Sequence, residues 1–548
     1  MNRRFITGQR VALIALVALI IAALAVPFSA QAQKANVITI SFTQEPDSLN
    51  PMYSTQYFSG LARNLTLKGA WDYDDQLNLV PVLAKEIPSA ANGGISADGK
   101  VITIKLREDA VWSDGTPITS DDFVFTAEMY ASEKNAPLGR SPFNRFKASA
   151  PDKFTVVATF DDPYAPWPSS LFGAVLPAHI LRPVFTEKGT LDGADWNSTP
   201  TVASGPFVLK EYQKGQFMLF ERNDKYVLGA PKLDQVLLRF VADDAAQIAA
   251  VKAGDSDMAV FLAATDAVDL RDNAPVNIIT VPSGYNEGWF LNQNPDKGHP
   301  ALRNVNVRRA ISFAVNREEL TVGLLNGLFQ PSKGFWDTTP FIDPTLEAPV
   351  YDAEAAKKML DEAGWTVGSD GVREKDGVKL KLRYATNSRG LRKDAQRVIE
   401  EQLKQVGIAI ELINHPNQGF LSSYADNGPI ALGDWDIAQW SISPRYPDPD
   451  TSRFLISEIG TKDNDFVGAN WAHIRDEALD KLMQEQRTTI DAEARMKLFH
   501  QISRIVREEV YWLPLWQDPD LWGVNKRISE IKLSGGTPWW NVHQWVAQ

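Results

Sequence analysis

From Val37 to Ile442 the chain keeps switching between two hydrophobic rhythms, and this switching constrains its fold more than any other feature. Segments with alternating apolar residues predict strands, and segments with apolar residues every three or four positions predict helices. NVITISF reads as a strand that ends before Pro46. KVITIKL is a second strand, followed by a turn at Asp114-Gly115 and a helix from Thr119. Thr119 or Ser120 caps that helix, and Asp121 and Asp122 meet the positive end of its dipole, so this acidic pair has a structural reason to exist. LDQVLLRF, DDAAQIAAVKAG and SDMAVF repeat the order strand, helix, strand. NVNVRRAISFAVNREELTVGLLNG is helix-rich, and YDAEAAKKMLDEAGW is an amphipathic helix stopping near Gly364. VKLKLRYAT, LRKDAQRVIEEQLKQVG and IAIELINH again give strand, helix, strand, WDIAQWSIS follows, and AEARMKLFHQISRIVREEV is a closing helix. Strands joined through helices define an α/β architecture with parallel crossovers.

The start of the chain reads differently. Arg3, Arg4 and Arg10 flank an apolar run from Val11 to Val26, and Ala30-Gln31-Ala32 closes it. That order predicts a secretory leader over residues 1–32, cleaved after Ala32. The run is shorter than the roughly 20 residues of a spanning helix, so a retained anchor is the weaker reading. With no cysteine in the chain, neither disulfides nor a lipid-bearing thiol are available, and a soluble exported protein must rest on its own core. Loss of the leader removes three arginines and no acids, which takes the net charge from −12 to −15. Such a surface disfavours nucleic acid and anionic membrane. About 516 remaining residues suggest roughly two to four domains.

Catalytic constellations are not evident. The histidines His179, His299, His415, His473, His500 and His543 are scattered and form no metal-binding spacing. There is no G-x-S-x-G elbow. GISADGK approaches a phosphate loop, but Val101 replaces the magnesium-binding hydroxyl and a strand follows, so it reads as a polar turn.

The stretch QWSISPRYPDPDTSRF, residues 439–454, is the most unusual. Asp448, Asp450 and Ser452 imitate the start of a calcium loop, yet Arg453 and Ile459 occupy its glycine and glutamate positions. Pro444, Pro447 and Pro449 stiffen the backbone. A stiff loop carrying Trp440, Arg445 and Tyr446 suits ligand recognition, because these groups lose little entropy on contact. A plainer reading makes Asp450 or Thr451 the cap of a following helix.

Taken in order, EPDSLNP (45–51), LREDAVWSDGTPITSDDFVF (106–125), SGPFVL (204–209), RNDKYVLGAPKLDQV (222–236), VNVRRAISFAVNREEL (305–320), YDAEAAKKMLDEAGW (351–365) and QLKQVGI (402–408) resemble the substrate-binding proteins of ABC importers, family 5, of dipeptide-, oligopeptide- and nickel-binding type. The resemblance implies a two-lobed periplasmic-binding-protein fold of type II with an extra domain inserted in the first lobe. It implies a first lobe of residues 33–75, 203–289 and 519–548, an inserted domain of 76–202 and a second lobe of 290–518. It also implies that an oligopeptide or similar extended solute is enclosed between the lobes and handed to a membrane permease, without catalysis and without a cofactor or metal. A monomer, periplasmic or extracellular, is expected.

In peptide-binding relatives an aspartate three residues after the tryptophan that matches Trp440 pairs with the peptide amine. Here that position is Ser443, so the anchor is absent or displaced, with Asp448 as its substitute. Expected ligand contacts are Trp440, Ser443, Arg445, Tyr446, Asp448 and Trp289, with Tyr53 and Ser54 from the N-terminal loop. Sixteen tryptophans, Trp512 among those near the expected cleft, keep an oligosaccharide open as the alternative ligand. A secreted hydrolase and a structural or adhesive protein are the rivals from other classes.

Overall fold

The computed structural model describes residues 36–548 except 55, 417–419, 422–423, 425–426, 443–447, 450, 465 and 467, with only the backbone of 282. The expected leader, residues 1–32, lies outside the described residues. Among those described, no helix is long and apolar enough to cross a membrane.

One sheet of ten strands organises the molecule. Its spatial order is Ala409–His415, Lys381–Asn387, Ile437–Ile442, Val276–Leu291, Leu513–Asn525, Met258–Ala259, Val37–Phe42, Gln235–Phe240, Phe217–Arg222 and Phe207–Gln213. Val37–Phe42 runs parallel to Gln235–Phe240 and Met258–Ala259, and Lys381–Asn387 runs parallel to Ala409–His415 and Ile437–Ile442. Helices Asp244–Ala253 and Gly390–Gln405 supply crossovers, as the alternating rhythms predict.

The two parallel halves are joined by two long antiparallel strands, Val276–Leu291 and Leu513–Asn525, the crossover strands. Their register shifts twice, by one residue between Glu287 and Gly288 and more widely in the middle. Val281 opposes Asp520 and Tyr285 opposes Asp518, so residues 282–284 face Pro519 alone. Gly284 sits there at φ +77°, a conformation that costs glycine nothing. Further along, Gly288 is required for packing, because a Cβ would stand 2.3 Å from the Trp512 ring.

A separate antiparallel sheet of Val101–Lys105, Thr155–Phe160 and Phe146–Asp152 lies within residues 76–202. It has its own core, including Ile102, Trp112, Phe123, Phe172 and Leu181. Helix Ser120–Ala131 begins with a reciprocal cap, in which the Thr119 N–H donates to Asp122 at 2.9 Å and the Thr119 hydroxyl oxygen accepts from the Asp121 N–H at 3.3 Å. Asp122 also accepts from the Ala178 N–H at 2.9 Å, which accounts for its burial. The tryptophan-rich tail closes a third core, where Trp539 and Trp545 pack with Ile38, Ile40, Phe220 and Trp522.

The helix expected after residue 450 does not form. Short 3₁₀ turns, Ser452–Phe454 and Ile456–Glu458, follow Thr451, whose side chain makes no cap, and Asp450 lies outside the described residues. Phe454 and Leu455 are pulled into an aromatic core, and the Ile456 N–H is taken by Asp480 at 2.8 Å instead of by a helical carbonyl. Tertiary packing outweighs the local capping signal.

Candidate functional site

The strand registers place the site. Along Val37–Phe42 the chain advances toward the gap at 282–284, and along Ile437–Ile442 it advances toward the same gap from the other half. The loops after both strands, and the one after Lys381–Asn387, therefore meet where the crossover strands lose their pairing. Ligands of open α/β sheets bind at such carboxyl-end switch points.

A polar network fills this junction. Arg392, in helix Gly390–Gln405, donates to Glu287 through Nε at 2.7 Å and Nη2 at 2.9 Å, and through Nη2 to the Ser441 hydroxyl at 2.7 Å. Gln439 Nε2 donates to Glu287 at 2.8 Å. Glu287 is 1% and Arg392 7% exposed, so the pair is stable only because these partners satisfy it. The Ser441 hydroxyl also lies 2.6 Å from Glu287 and 2.9 Å from Asp518, and its one proton serves one of the two at a time.

Asp518 and Asp520 lie on the same face, either side of Pro519. Burial raises the Asp518 carboxyl above its ordinary range, and the Glu287 charge adds to this. Burial pushes Asp520 up to about 7, against the Tyr57 hydroxyl bond at 3.3 Å and with the Asp518 charge. Among the described residues, Arg389 comes within 3.9 Å of Asp518. Tyr57 is 40% and Tyr285 47% exposed, two large aromatic surfaces at the junction.

The expected ligand contacts fall in several places. Ser443, Arg445 and Tyr446 lie outside the described residues. Trp440 is buried against Phe290 (ring centroids 5.1 Å apart) and Trp471 (6.0 Å), and its indole N–H has no partner among the described residues. Trp289 is fully buried, and its N–H donates to the Tyr384 hydroxyl at 2.9 Å. In this structure it belongs to the core rather than to a cleft wall, because it shares the helix-covered face of the strand with Glu287; Trp512 is likewise packed. Asp448 is held bidentately by Arg495, at 2.7 and 3.0 Å, with side chains 13% and 6% exposed. Its charge is thus already neutralised. Ser54 is buried and bonded to Asp47, and Tyr53 lies beside Asp192, which together with burial raises its phenol well above the ordinary value. Tyr53 and Asp47 line a cavity of about 510 Å³ against residues 192–198.

A larger cavity, about 650 Å³, lies between residues 141–170 and residues 448–495. Ser141, Arg145, Asp162, Tyr164 and Ser170 form one wall, and Asp448, Thr451, Glu458, Arg487 and Arg495 are among the residues of the other.

Sequence reasoning missed Glu287, Arg392, Tyr57, Asp518 and Asp520. One signal was present. The tripeptide Asp-Pro-Asp occurs twice, at 448–450 and at 518–520, and the second copy interrupts an otherwise apolar strand.

Two lobes, a cleft at the carboxyl ends of their strands and paired crossover strands define a solute-binding protein of the two-lobed α/β type. Residues 78–462 match the family of bacterial extracellular solute-binding proteins, family 5 (middle), and the chain belongs to that family. The chain is 27% identical to the oligopeptide-binding protein AppA of Bacillus subtilis, over 94% of this chain and 92% of that protein. The structure of Bacillus subtilis AppA in complex with a nonapeptide superimposes with a TM-score of 0.65 at 23% identity, covering 93% of this chain and 99% of the other. NikZ of Campylobacter jejuni, in complex with Ni(L-His), gives a TM-score of 0.69 at 24% identity over 93% and 99% of the two chains. These structural likenesses establish the shared fold.

Proposed function

We propose that this chain captures an oligopeptide or a similarly extended solute between its lobes and delivers it to the permease of an ABC importer. The carrying observation is the cleft itself. The crossover strands lose their pairing at residues 282–284, and a cavity of about 650 Å³ lies between residues 141–170 and residues 448–495, room enough for an extended solute. The peptide-binding relative named above supports the choice of ligand. We take the lobes to meet at residues 282–284 and 519, with residues 76–202 as a domain inserted in the first. A solute that touches both lobes favours the closed arrangement by its differential affinity, and no bond is made or broken. We further read the protein as exported, freed of its leader, without a lipid anchor, and monomeric.

Of the residues anticipated from sequence, Trp440, Ser443, Arg445 and Tyr446 stand as proposed contacts. Asp448 is proposed to act through its pair with Arg495 rather than as a free anchor.

Native mass spectrometry of protein purified gently from its own host, with release and identification of what it carries, tests the assignment. Peptide masses support it. Hexose or pentose ladders replace the peptide by an oligosaccharide, and steady breakdown of an added solute overturns the non-catalytic reading.

A further inference from the structure

We propose that Asp518 and Asp520 form a proton-operated latch: they stand on opposite sides of the joint at Pro519, and one proton taken up between them lets the cleft shut. This rests on the reading of the chain as a protein whose lobes close on a solute, and on the division of the lobes given above.

The two acids are tied to different halves. Asp520 accepts from the Tyr57 hydroxyl at 3.3 Å, and Tyr57 opens helix Tyr57–Thr66 of the first lobe. Asp518 lies 2.9 Å from the Ser441 hydroxyl and 3.9 Å from Arg389, both of the second lobe. Pro519 alone separates them, opposite residues 282–284, where the ladder is open. Rotation at that joint moves one carboxylate relative to the other. The halves are together in this structure. Gly99, in the turn before Val101–Lys105, lies so close to Ile490 that a Cβ on it would collide with the Ile490 side chain. Ile490 belongs to the loop between helices Glu477–Thr488 and Ala492–Glu508 of the second lobe.

Charged and titratable groups face the pair from every element packed on it. Glu287, on the neighbouring strand Val276–Leu291, is neutralised by Arg392 of helix Gly390–Gln405, and Tyr285 of the same strand stands opposite Asp518. Arg389 precedes that helix and is half exposed. Tyr57 comes from the first lobe, with the Phe261 ring packed on it at 4.6 Å. From the segment 331–337, Asp337 lies beside Asn286 and Gln517, accepts from the Lys333 N–H at 2.7 Å, and is pushed up to about 6 by burial. Among the described residues no cation lies within ion-pair distance of Asp520. Burial, opposed by the Tyr57 bond and reinforced by the Asp518 charge, pushes its carboxyl up to about 7.

In the closed form the pair shares a dry space, and one carboxyl keeps its proton. Opening admits water, parts the two charges and returns Asp520 toward the ordinary aspartate value of about 4. Closure therefore takes up a proton between about pH 4 and about pH 7. Its contribution is fully present below that window and is lost as pH rises through about 7. For a solute that binds the closed form, affinity follows the same curve, because it scales with the closed fraction. A falling external pH tightens capture, and a rising one loosens it.

Two readouts test this on the mature, full-length protein, each at about pH 6 and about pH 8, on either side of the expected midpoint. The first is small-angle scattering of the empty protein. The wild-type radius of gyration is expected to be larger at the higher pH, and Asp520→Asn, fixed in the uncharged state, to keep the smaller radius at both. Equal wild-type radii overturn the latch. Asp337→Asn is expected to respond to pH as wild type does, and loss of the response in that variant moves the proton away from the joint and overturns the latch as well. The second readout is calorimetric titration with a pentapeptide library. From the lower to the higher pH, wild type is expected to lose up to about tenfold more affinity than Asp520→Asn, a comparison from which titration of the peptide's own amine cancels. Equal losses overturn the latch while leaving peptide capture intact. If the library binds at neither pH but the radius responds, the peptide reading falls and the latch stands.

Discussion

The same tripeptide, Asp-Pro-Asp, occurs at the outer cavity (448–450) and at the junction (518–520), and the two copies have opposite fates. At the cavity Asp448 is clasped by Arg495 and largely withdrawn from solvent. At the junction Asp520 has a tyrosine hydroxyl and a like-charged neighbour, and burial lifts it to about 7. A motif therefore carries no role of its own. The partner brought in from a distant part of the chain decides whether a carboxylate is spent on structure or left under electrostatic tension.

Four changes probe that contrast. Arg392→Ala leaves Glu287 buried without its cation beside Asp518, and should cost about 3–5 kcal/mol in chemical denaturation, enough to unfold a marginal protein. A loss below about 1 kcal/mol would show that water screens the junction. Asp520→Asn should act in the other direction. Folded wild type keeps this proton up to about pH 7, whereas an unfolded aspartate releases it near 4, so wild-type stability falls as pH rises through that window. The variant should therefore match wild type near pH 4 and exceed it at pH 8 by up to about 4 kcal/mol; a constant offset across pH would refute the linkage.

Asp448→Asn removes a charge-assisted pair and should cost about 2 kcal/mol at neutral pH. Smallest in stability is Ile490→Ala, expected below about 1 kcal/mol because the residue is half-buried. Its readout is the scattering radius of the empty protein, which should rise as the contact with Gly99 weakens. If the radius is unchanged, that contact does not help hold the lobes together.

Local sequence signals carried much of the fold. The capping pattern Thr119–Asp122 and the two rhythms on either side of Gly390–Gln405 act within one element, and the structure shows them as read. The junction was not legible in the same way. Glu287 finds Arg392 across 105 residues, and Asp518 finds Ser441 across 77. Trp440 and Trp289 illustrate the limit for the site. A tryptophan in a strand announces a large apolar surface, and whether that surface meets a core or a ligand depends on which face the pleat presents. Most of the sixteen tryptophans are packed inside, so their abundance is foremost a signal of core construction.

The three residues that face Pro519 alone have a mechanical meaning. A continuous antiparallel ladder through both lobes would resist rotation, because turning one lobe against the other would stretch or break its rungs. With the rungs already missing at 282–284 and a left-handed glycine at the end of the gap, twisting there spares the strand-to-strand ladder and strains chiefly the bond from the Ser283 hydroxyl to the Asp518 carbonyl. On the division of the lobes proposed above, this makes a soft torsional joint between two stiff plates, and the affinity expected for a solute is that of its own contacts with little deducted for unzipping the sheet.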